Sequence, residues 1–340
     1  MATPALPPAP TVDIAICTRD RLPMLTGTLA ALETAIDDRA DVRLLVVDNG
    51  SRDGTGAYLS RRADGNPRLM MITEPQPGLY HARVAAIRLA RADILIFIDD
   101  DVVPAPDFLE AVLAAFTDPA VGVVGAAILG LHDGPLPDWF SPRLRNELPD
   151  LPVRDTMEIC AYPAYPPGAC LALRRHPCLD YFLSPERRQV ELGVGGGAIS
   201  GQSPVGGEDT DLCHIYEHAG FRVIRPAAVR VYHRVHADRL TPGWMIAKFE
   251  RDGRLRVRLA RLRSKPALGR ETAVILAALP ILAALVGIAS LFGAQRAVLI
   301  RAYFAKSLGA WREVLWGRRG IRFPYPPHPP ASALTGAGTE

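Results

Sequence analysis

Short apolar runs alternate with amphipathic segments along the first 130 residues of the chain. The runs have the length of β-strands and are bounded by Gly, Pro, Asp and Asn. The predicted strands are Val12–Cys17, Val42–Asp48, Arg68–Thr73, Asp93–Asp99 and Val121–Leu129, and the predicted helices are Leu22–Ile36, Gly56–Arg62, Leu79–Arg91 and Asp107–Phe116. This alternation predicts an α/β fold, a mostly parallel sheet with helices on both faces.

The pattern becomes irregular after residue 130. Leu131–Pro167 is rich in Pro, Asp and Trp, and loops of this length are commonly functional. A short strand is predicted at Ala169–Arg174. The glycine-rich Leu192–Gly207 that follows could be a mobile flap or simply disordered. The chain then predicts a helix that ends at Gly220 and a final pair of strands within Arg222–His233.

One long apolar segment lies near the C-terminal end. Thr272–Gln295 contains no charged residue over 24 positions. At about 1.5 Å per residue, such a helix extends roughly 36 Å and could cross a hydrocarbon core of about 30 Å. Basic residues flank it on both sides, so the positive-inside rule selects no orientation. A membrane span, a hairpin that re-enters at Pro280 and a buried globular helix are all open.

A second apolar pattern follows that segment. One helical stripe is formed by Ile300, Phe304, Leu308, Trp311 and Leu315, with charged residues off it. A helix that lies in the membrane interface has this pattern, and so has a helix that packs on a core.

Charge is distributed unevenly along the 340 residues. The net charge is +3, yet Thr241–Arg322 holds 16 Lys and Arg against 4 Asp and Glu, a net of +12. The remainder holds 23 against 32, a net of −9. A basic region of this kind indicates an anionic partner, either a membrane surface or nucleic acid.

The cysteines and the chain ends limit the choice of compartment. The five cysteines are odd in number and lack CxxC spacing, which argues against a zinc site or disulfide framework and indicates a reducing environment. The start of the chain has neither a basic n-region nor an apolar h-region, so no secretory signal is predicted. Both Pro-rich ends are expected to be disordered.

Three consecutive acids, Asp99-Asp100-Asp101, follow the buried strand Ile94–Ile98. Ligands of open α/β sheets bind beyond the carboxyl ends of the strands. Because clustered carboxylates repel one another, a bound Mg²⁺ with a phosphorylated substrate is the natural partner. The alternative is a solvated acidic turn.

Four other segments accompany this acidic run in a recognisable order. They are Thr18-Arg19-Asp20-Arg21, Asp48-Asn49-Gly50-Ser51, Pro77-Gly78-Leu79-Tyr80-His81-Ala82-Arg83 and Gly207-Glu208-Asp209. The ordered set resembles the family-2 glycosyltransferases, which are inverting enzymes with the A-type nucleotide-sugar fold. The resemblance covers roughly residues 11–240. The Gln-x-x-Arg-Trp signature of processive relatives is absent, which implies transfer of a single sugar.

The resemblance implies a role for each matching residue. Thr18 and Arg19 would line the nucleotide pocket, and Asp48 would bind the base. Arg83 would lie near the diphosphate or ribose, Asp99 and Asp100 near the ribose and sugar, and Asp101 would ligate Mg²⁺ or Mn²⁺. Asp209 would be the general base. His233 is a further metal or acceptor ligand that we keep outside this set, because a core or surface histidine is as common.

The proposed chemistry suits these residue types. A divalent cation stabilises a departing nucleoside diphosphate, Arg83 can add positive charge, and one carboxylate can take the acceptor's proton. Each residue also has a structural alternative. Asp209 could be a helix N-cap, Asp48 an Asx turn and Arg83 a surface residue of its helix.

These inferences divide the chain as follows: a disordered lead at 1–10, a catalytic domain at 11–240 with a nucleotide-sugar half (11–130) and an acceptor half (131–240), a basic membrane-associated region at 241–322 and a disordered tail at 323–340. The expected donor is a UDP-, GDP- or dTDP-sugar and the acceptor a lipid-linked or envelope glycan, with no nucleic acid bound. The catalytic domain would face the cytoplasm at the cell membrane. Two alternatives are transfer to polyprenyl phosphate and a catalytically silent sugar-nucleotide binder.

Overall fold

The computed structural model of this protein describes residues 11–37, 39–153, 155–183, 207–263 and 265–316. The predicted lead at 1–10, the predicted tail at 323–340 and all but the last residue of the glycine-rich stretch lie outside the described residues.

Eleven strands form two sheets within these described ranges. The strands are β1 (Val12–Thr18), β2 (Val42–Asp48), β3 (Leu69–Thr73), β4 (Ile94–Asp99), β5 (Val102–Pro104), β6 (Val121–Gly125), β7 (Ala127–His132), β8 (Met157–Cys160), β9 (Cys170–Arg174), β10 (Arg222–Pro226) and β11 (Arg230–Val235). The large sheet has the order β3-β2-β1-β4-β9-β6-β10-β8, and the small sheet has the order β5-β11-β7. In the large sheet β9 and β8 run antiparallel to their neighbours and the other pairings are parallel, so the predicted mostly parallel sheet is confirmed.

Helices connect and cover these strands. They are α1 (Leu22–Ile36), α2 (Thr55–Gly65), α3 (Leu79–Leu89), α4 (Phe108–Ala115), α5 (Pro177–Phe182), α6 (Glu208–His218), α7 (Pro242–Arg263), α8 (Lys265–Gly287) and α9 (Ala294–Trp316), with 3₁₀ turns at Pro142–Glu147, Ala237–Leu240 and Ala289–Phe292. One core joins α1, α2 and α4 to one face of the large sheet, and a second joins α3, α5 and α6 to the other. The predicted α/β architecture with helices on both faces is therefore correct.

Two predicted strand arrangements were wrong. The chain bends after Gly125, so Val121–Leu129 is not one strand but β6 of the large sheet followed by β7 of the small one. Pro166 packs on Gly125, where an added Cβ would lie 2.2 Å from the proline Cβ. Likewise β10 and β11 do not pair with each other, because β10 joins β6 and β8 whereas β11 joins β5 and β7.

The C-terminal helices pack closely on one another. A Cβ at Gly253 of α7 would lie 1.9 Å from the Lys306 carbonyl oxygen, and a Cβ at Gly309 of α9 would lie 2.1 Å from the Glu250 carbonyl oxygen. Two glycines thus let the backbones of α7 and α9 touch. The buried residues of α9 include Ala302, Ala305 and Ala310. The predicted stripe is partly buried: Trp311 packs against a buried cluster that contains Val257, whereas Leu315 is 36% exposed.

A few of the basic C-terminal side chains form ion pairs within the region. Glu313 is buried between Arg254 and Arg258, and Arg256 pairs with Glu271. By contrast, the apolar surface of α8 is left open. Leu268–Gly287 is long and apolar enough to cross a membrane, with a mean hydropathy of 1.7, and little of it is buried.

Candidate active site

The carboxyl ends of three neighbouring parallel strands bring the predicted site together. Thr18 at the end of β1 is in register with Asp48 at the end of β2, and Cys17 is in register with Asp99 at the end of β4. The strand interiors consist of buried Val, Ile and Leu, so the polar residues begin where the strands leave the sheet. This is the edge at which open α/β sheets bind ligands.

Asp100 is held inside the site by its neighbours. Its carboxylate accepts a hydrogen bond from the Thr18 hydroxyl at 2.7 Å and lies 2.7 Å from the Arg21 guanidinium. Its backbone carbonyl accepts a hydrogen bond from the Thr28 hydroxyl of α1. Burial raises the pKa of Asp100, although Arg21 and Thr18 oppose this shift. Through these contacts the buried Asp100 connects the acidic turn to the end of β1 and to α1.

Asp101 is surrounded by three cationic or basic side chains. Arg21 donates to its Oδ2 at 2.6 Å and Arg239 donates to the same oxygen at 3.2 Å, while the Nε2 of His233 lies 3.5 Å from Oδ1. Burial acts to raise the pKa of Asp101, but His233, Arg21 and Arg239 outweigh it, so the pKa lies below the usual value. Asp101 is therefore ionised at neutral pH.

His233 reaches the acidic run because of the small sheet. β11 pairs antiparallel with β5, which follows the acids directly, and His233 is in register with Val102. The side chain is 4% exposed, its Nδ1 lies 3.0 Å from the Arg234 carbonyl oxygen, and burial lowers its pKa. Since a carbonyl oxygen only accepts hydrogen bonds, Nδ1 carries a proton, and Nε2 is the ring atom that faces Asp101.

Asp99 completes a cluster of possible metal ligands. One ligand atom from each of Asp99, Asp101 and His233 lies within 4.8 Å of the others. Burial, followed by the charges of the neighbouring carboxylates, raises the pKa of Asp99 to about 7, although Arg83 at 3.7 Å opposes the shift. Two carboxylates and an imidazole form a donor set that can hold a divalent metal ion.

The predicted nucleotide-pocket residues lie along the same edge. Asp48 is buried and its Oδ1 accepts a hydrogen bond from the backbone N–H of Ser51 at 2.9 Å, three residues on and not two as in an Asx turn. Its Oδ2 faces Gly56, where an added Cβ would lie 3.1 Å away. The Arg19 side chain is 44% exposed and lies 3.6 Å from Asp20. The Thr18 hydroxyl, in contrast, donates its hydrogen bond to Asp100.

Arg83 lies beneath the site and is not a surface residue, since only 3% of it is exposed. Its guanidinium pairs with Glu208 at 3.0 Å, donates to the Gly168 carbonyl at 3.0 Å and lies over the Phe97 ring. Burial acts to lower the pKa of Arg83, but Glu208 and Asp99 outweigh this effect and raise it. A Cβ at Gly168 would lie 2.5 Å from the guanidinium, so glycine is needed there.

Asp209 stands at the start of α6, next to this buried ion pair. The cap residue of α6 is Gly207, so Asp209 is not the N-cap. Its Oδ2 accepts a hydrogen bond from the Gly168 N–H at 2.8 Å and its Oδ1 from the Thr210 N–H at 2.7 Å. Gly168 thus contacts Arg83 through its carbonyl and Asp209 through its amide. Burial raises the pKa of Glu208, whereas Asp209 is only partly buried and reachable by solvent.

Several residues of the site were not assigned a role from the sequence. Arg21 belonged to a quoted motif, but only its distance to Asp100 and Asp101 shows what it does. Arg239 lies 138 positions from Asp101 in the chain and carries no local signal. Glu208 was named from the sequence only as the neighbour of Asp209. The structure shows it as the buried ion-pair partner of Arg83, which is a structural role.

Comparisons with known proteins agree with this geometry. Residues 13–176 match Glycosyl transferase family 2. The chain is 28% identical over 252 residues to the succinoglycan biosynthesis protein ExoM of Rhizobium meliloti, an alignment that covers 73% of this chain and 74% of ExoM. It is also 29% identical over 150 residues to the validoxylamine A glucosyltransferase of Streptomyces hygroscopicus subsp. jinggangensis, which covers 44% of this chain and 35% of that protein.

A solved structure shares the fold. The mannosyltransferase PcManGT of Pyrobaculum calidifontis, solved in complex with GDP-Man and Mn²⁺, superimposes with a TM-score of 0.57 at 21% identity, over 91% of this chain and 88% of the other. The chain spans a smaller part of some other relatives, such as 13% of the protein y4gI of Sinorhizobium fredii, to which it is 34% identical over 122 residues. Residues 13–176 match the family model, the fold is shared with a solved mannosyltransferase, and the acidic strand end lies where such a fold binds its ligand, so the comparisons support a family-2 glycosyltransferase.

Proposed function

We propose that this glycosyltransferase transfers a single sugar from a nucleotide-sugar donor to an acceptor hydroxyl, with inversion and with the help of a divalent cation. The observation that carries the proposal is the position of Arg83, which lies 3.7 Å from Asp99 and 3.0 Å from Glu208. One guanidinium therefore bridges the acidic cluster to the Glu208–Asp209 pair. The acidic cluster, which would hold the leaving group, and Asp209, which would accept the proton, therefore lie close enough to act on the same sugar.

Asp99, Asp101 and His233 are the proposed ligands of Mn²⁺ or Mg²⁺. Their ligand atoms lie close enough to share one ion, and the His233 Nδ1 contact with a backbone carbonyl orients the imidazole for ligation. A bound divalent cation would stabilise the negative charge of the departing nucleoside diphosphate. Asp99 thereby moves from the donor role that the resemblance implies to a ligand role. PcManGT, which shares the fold, was solved with Mn²⁺ and GDP-Man.

Asp209 is the proposed general base. Its two hydrogen bonds to backbone N–H groups hold the carboxylate in place, while its partial exposure leaves it accessible to an acceptor hydroxyl. One carboxylate on the face opposite the leaving group is sufficient for a single displacement with inversion. Thr18, Arg19, Asp48 and Asp100 are proposed to form the pocket for the donor, a UDP-, GDP- or dTDP-sugar.

Donor binding should depend on Mn²⁺ and on Asp101. Calorimetric titration of the purified chain with GDP-, UDP- and dTDP-sugars should identify one donor that binds in Mn²⁺ but not in EDTA. The Asp101→Asn variant is expected to lose more than about 10-fold in this Mn²⁺-dependent affinity, because it removes a charged ligand. Asp107→Asn, which changes an exposed carboxylate outside the cluster, is the control. Equal affinity in Mn²⁺ and EDTA would exclude the metal role.

We also propose that the C-terminal helices attach the enzyme to the cytoplasmic face of a membrane, where a lipid-linked or envelope glycan would be the acceptor. Large apolar side chains are exposed on α8 and just after it, among them Ile281 at 63% and Leu291 at 80%. The relative ExoM is named for succinoglycan biosynthesis, which is compatible with such an acceptor. The helix α8 runs unbroken through Pro280 from Lys265 to Gly287, which argues against a hairpin that re-enters at that proline.

Attachment can be measured by flotation with vesicles of phosphatidylethanolamine and phosphatidylglycerol. The variant Ile281→Asp/Leu291→Asp should bind at least about tenfold more weakly than the unmodified chain, because each change removes buried apolar area and adds a charge. Ile159→Asp is a matched control, since Ile159 is 67% exposed but belongs to strand β8 and not to the apolar surface of α8. Vesicle binding that is the same for all three proteins would refute attachment through α8.

A further inference from the structure

A cavity of about 680 Å³ lies between the catalytic domain and the C-terminal helices. Residues from α6, α7, α8 and α9 line it, together with Tyr162 and Pro163 of the loop after β8. This volume lies within the range of small-molecule sites in proteins. None of the roles assigned above uses the cavity.

The cavity opens beside the proposed base. Thr210, the residue after Asp209, forms part of its wall. Leu255 of α7 also lines it and packs on Gly207, where an added Cβ would lie 2.5 Å from the leucine Cδ1. A molecule in the cavity therefore lies next to the N-terminal end of α6, where the acceptor hydroxyl must be deprotonated.

The lining combines aliphatic surface with basic side chains, of which the Lys306 ammonium lies 5.4 Å from the centre of the Phe249 ring. Leu255, Leu259 and Ala260 supply the apolar wall. Of the charged lining residues, Arg256 pairs with Glu271, and Asp252 pairs with Lys248 at 2.8 Å. Arg270 and Lys306 have no carboxylate partner among the residues that the structure describes. Such a lining favours a ligand that is both anionic and partly apolar.

The cavity also touches the proposed membrane helix. Arg270 and Glu271 line it and directly precede the uncharged part of α8, whose apolar side chains are exposed. A lipid held by that helix would bring its head group to the level of Arg270.

We infer that this cavity binds the phosphate-bearing end of an amphiphilic acceptor, with Arg270 and Lys306 on the phosphate and the aliphatic wall of α7 on the first carbons of the chain. The inference rests on the proposed function, since it assigns the acceptor to a site next to Asp209. It names an acceptor class, a glycan carried on a lipid phosphate or diphosphate, that the donor site alone does not determine.

Geranyl diphosphate is a suitable water-soluble probe, and titration in EDTA keeps metal-bound diphosphate out of the donor site. The full chain in neutral detergent should bind geranyl diphosphate at least about tenfold more tightly than inorganic pyrophosphate or geraniol. Pyrophosphate lacks the hydrocarbon chain that would contact α7, and geraniol lacks the phosphates that would contact Arg270 and Lys306. The variant Arg270→Gln/Lys306→Gln should lose at least about 10-fold in affinity, as removal of charge-assisted contacts predicts. Arg301→Gln, an exposed change on the same helix as Lys306, should bind as the unmodified chain does.

A second measurement needs no variant. Bound geranyl diphosphate should protect Lys306 of the unmodified chain from acetylation, as quantified by mass spectrometry. Pyrophosphate that binds as tightly as geranyl diphosphate would indicate a site for free phosphate and overturn the inference, and so would full acetylation of Lys306. Mn²⁺-dependent donor binding should persist in the double variant. Failure of donor binding in the unmodified chain would instead count against the proposed function.

Discussion

Replacing Asp209 with asparagine is expected to slow glycosyl transfer by about 10²–10⁴-fold, the usual contribution of a positioned general base, while donor binding stays unchanged. Asparagine keeps the size of the side chain and one acceptor oxygen for the Gly168 N–H, so the start of α6 should keep its structure. The amide cannot accept the proton of the attacking hydroxyl. The loss should therefore appear in kcat, with a KM for the donor close to that of the unmodified enzyme.

The measurement is a transfer assay with the donor identified by calorimetry, together with titration of that donor in Mn²⁺. Asp180→Asn is a matched control, because Asp180 is an exposed acid in the first turn of another helix, α5. Near-normal turnover of Asp209→Asn would reject Asp209 as the base. A loss of donor binding that equals the loss of turnover would assign Asp209 to the donor site instead.

The α/β half of the fold could be predicted because its information is local. Each buried strand is a run of Val, Ile or Leu, and each helix has apolar residues at helical spacing, so β2 and α1 were predicted with their observed bounds. The small sheet could not be predicted, since it requires β5 and β11, about 130 positions apart, to pair across the acidic turn. Local periodicity carries no information on that pairing. It also does not show that Pro166, 41 positions further on, packs against Gly125, after which the chain leaves the large sheet.

The same limit applies to the candidate site. The acids at the end of β4 and the Glu208-Asp209 pair are visible in the sequence as polar residues after apolar runs. Their partners are not visible, because Arg239 and His233 reach Asp101 only after the small sheet and the turn that follows it have formed. Arg83 was noticed for its motif, yet its contact with Glu208, 125 positions away, determines its surroundings.

Replacing Arg83 with methionine should destabilise the protein by about 3–5 kcal/mol, the usual cost of removing one partner of a buried ion pair. The change leaves Glu208, 2% exposed, without its cation and the Gly168 carbonyl without its donor. Burial already raises the pKa of Glu208, and loss of Arg83 raises it further. A carboxyl whose folded-state pKa is raised loses stability as pH rises through that pKa, so the defect should be larger at pH 8 than at pH 5.5.

Urea unfolding at both pH values measures the effect, and Arg88→Met is the matched control because Arg88 is exposed on the same helix, α3. That control should change stability by no more than about 0.5 kcal/mol. Adding Glu208→Gln to Arg83→Met should recover much of the loss and reduce its pH dependence, because the buried Glu208 carboxyl that lost its cation is then replaced by a neutral amide. The pH dependence that remains should come from Asp99, whose pKa Arg83 also lowers. If Arg83→Met alone lies within about 1 kcal/mol of the unmodified protein at pH 8, Arg83 and Glu208 do not form the buried ion pair that joins the acidic cluster to Asp209.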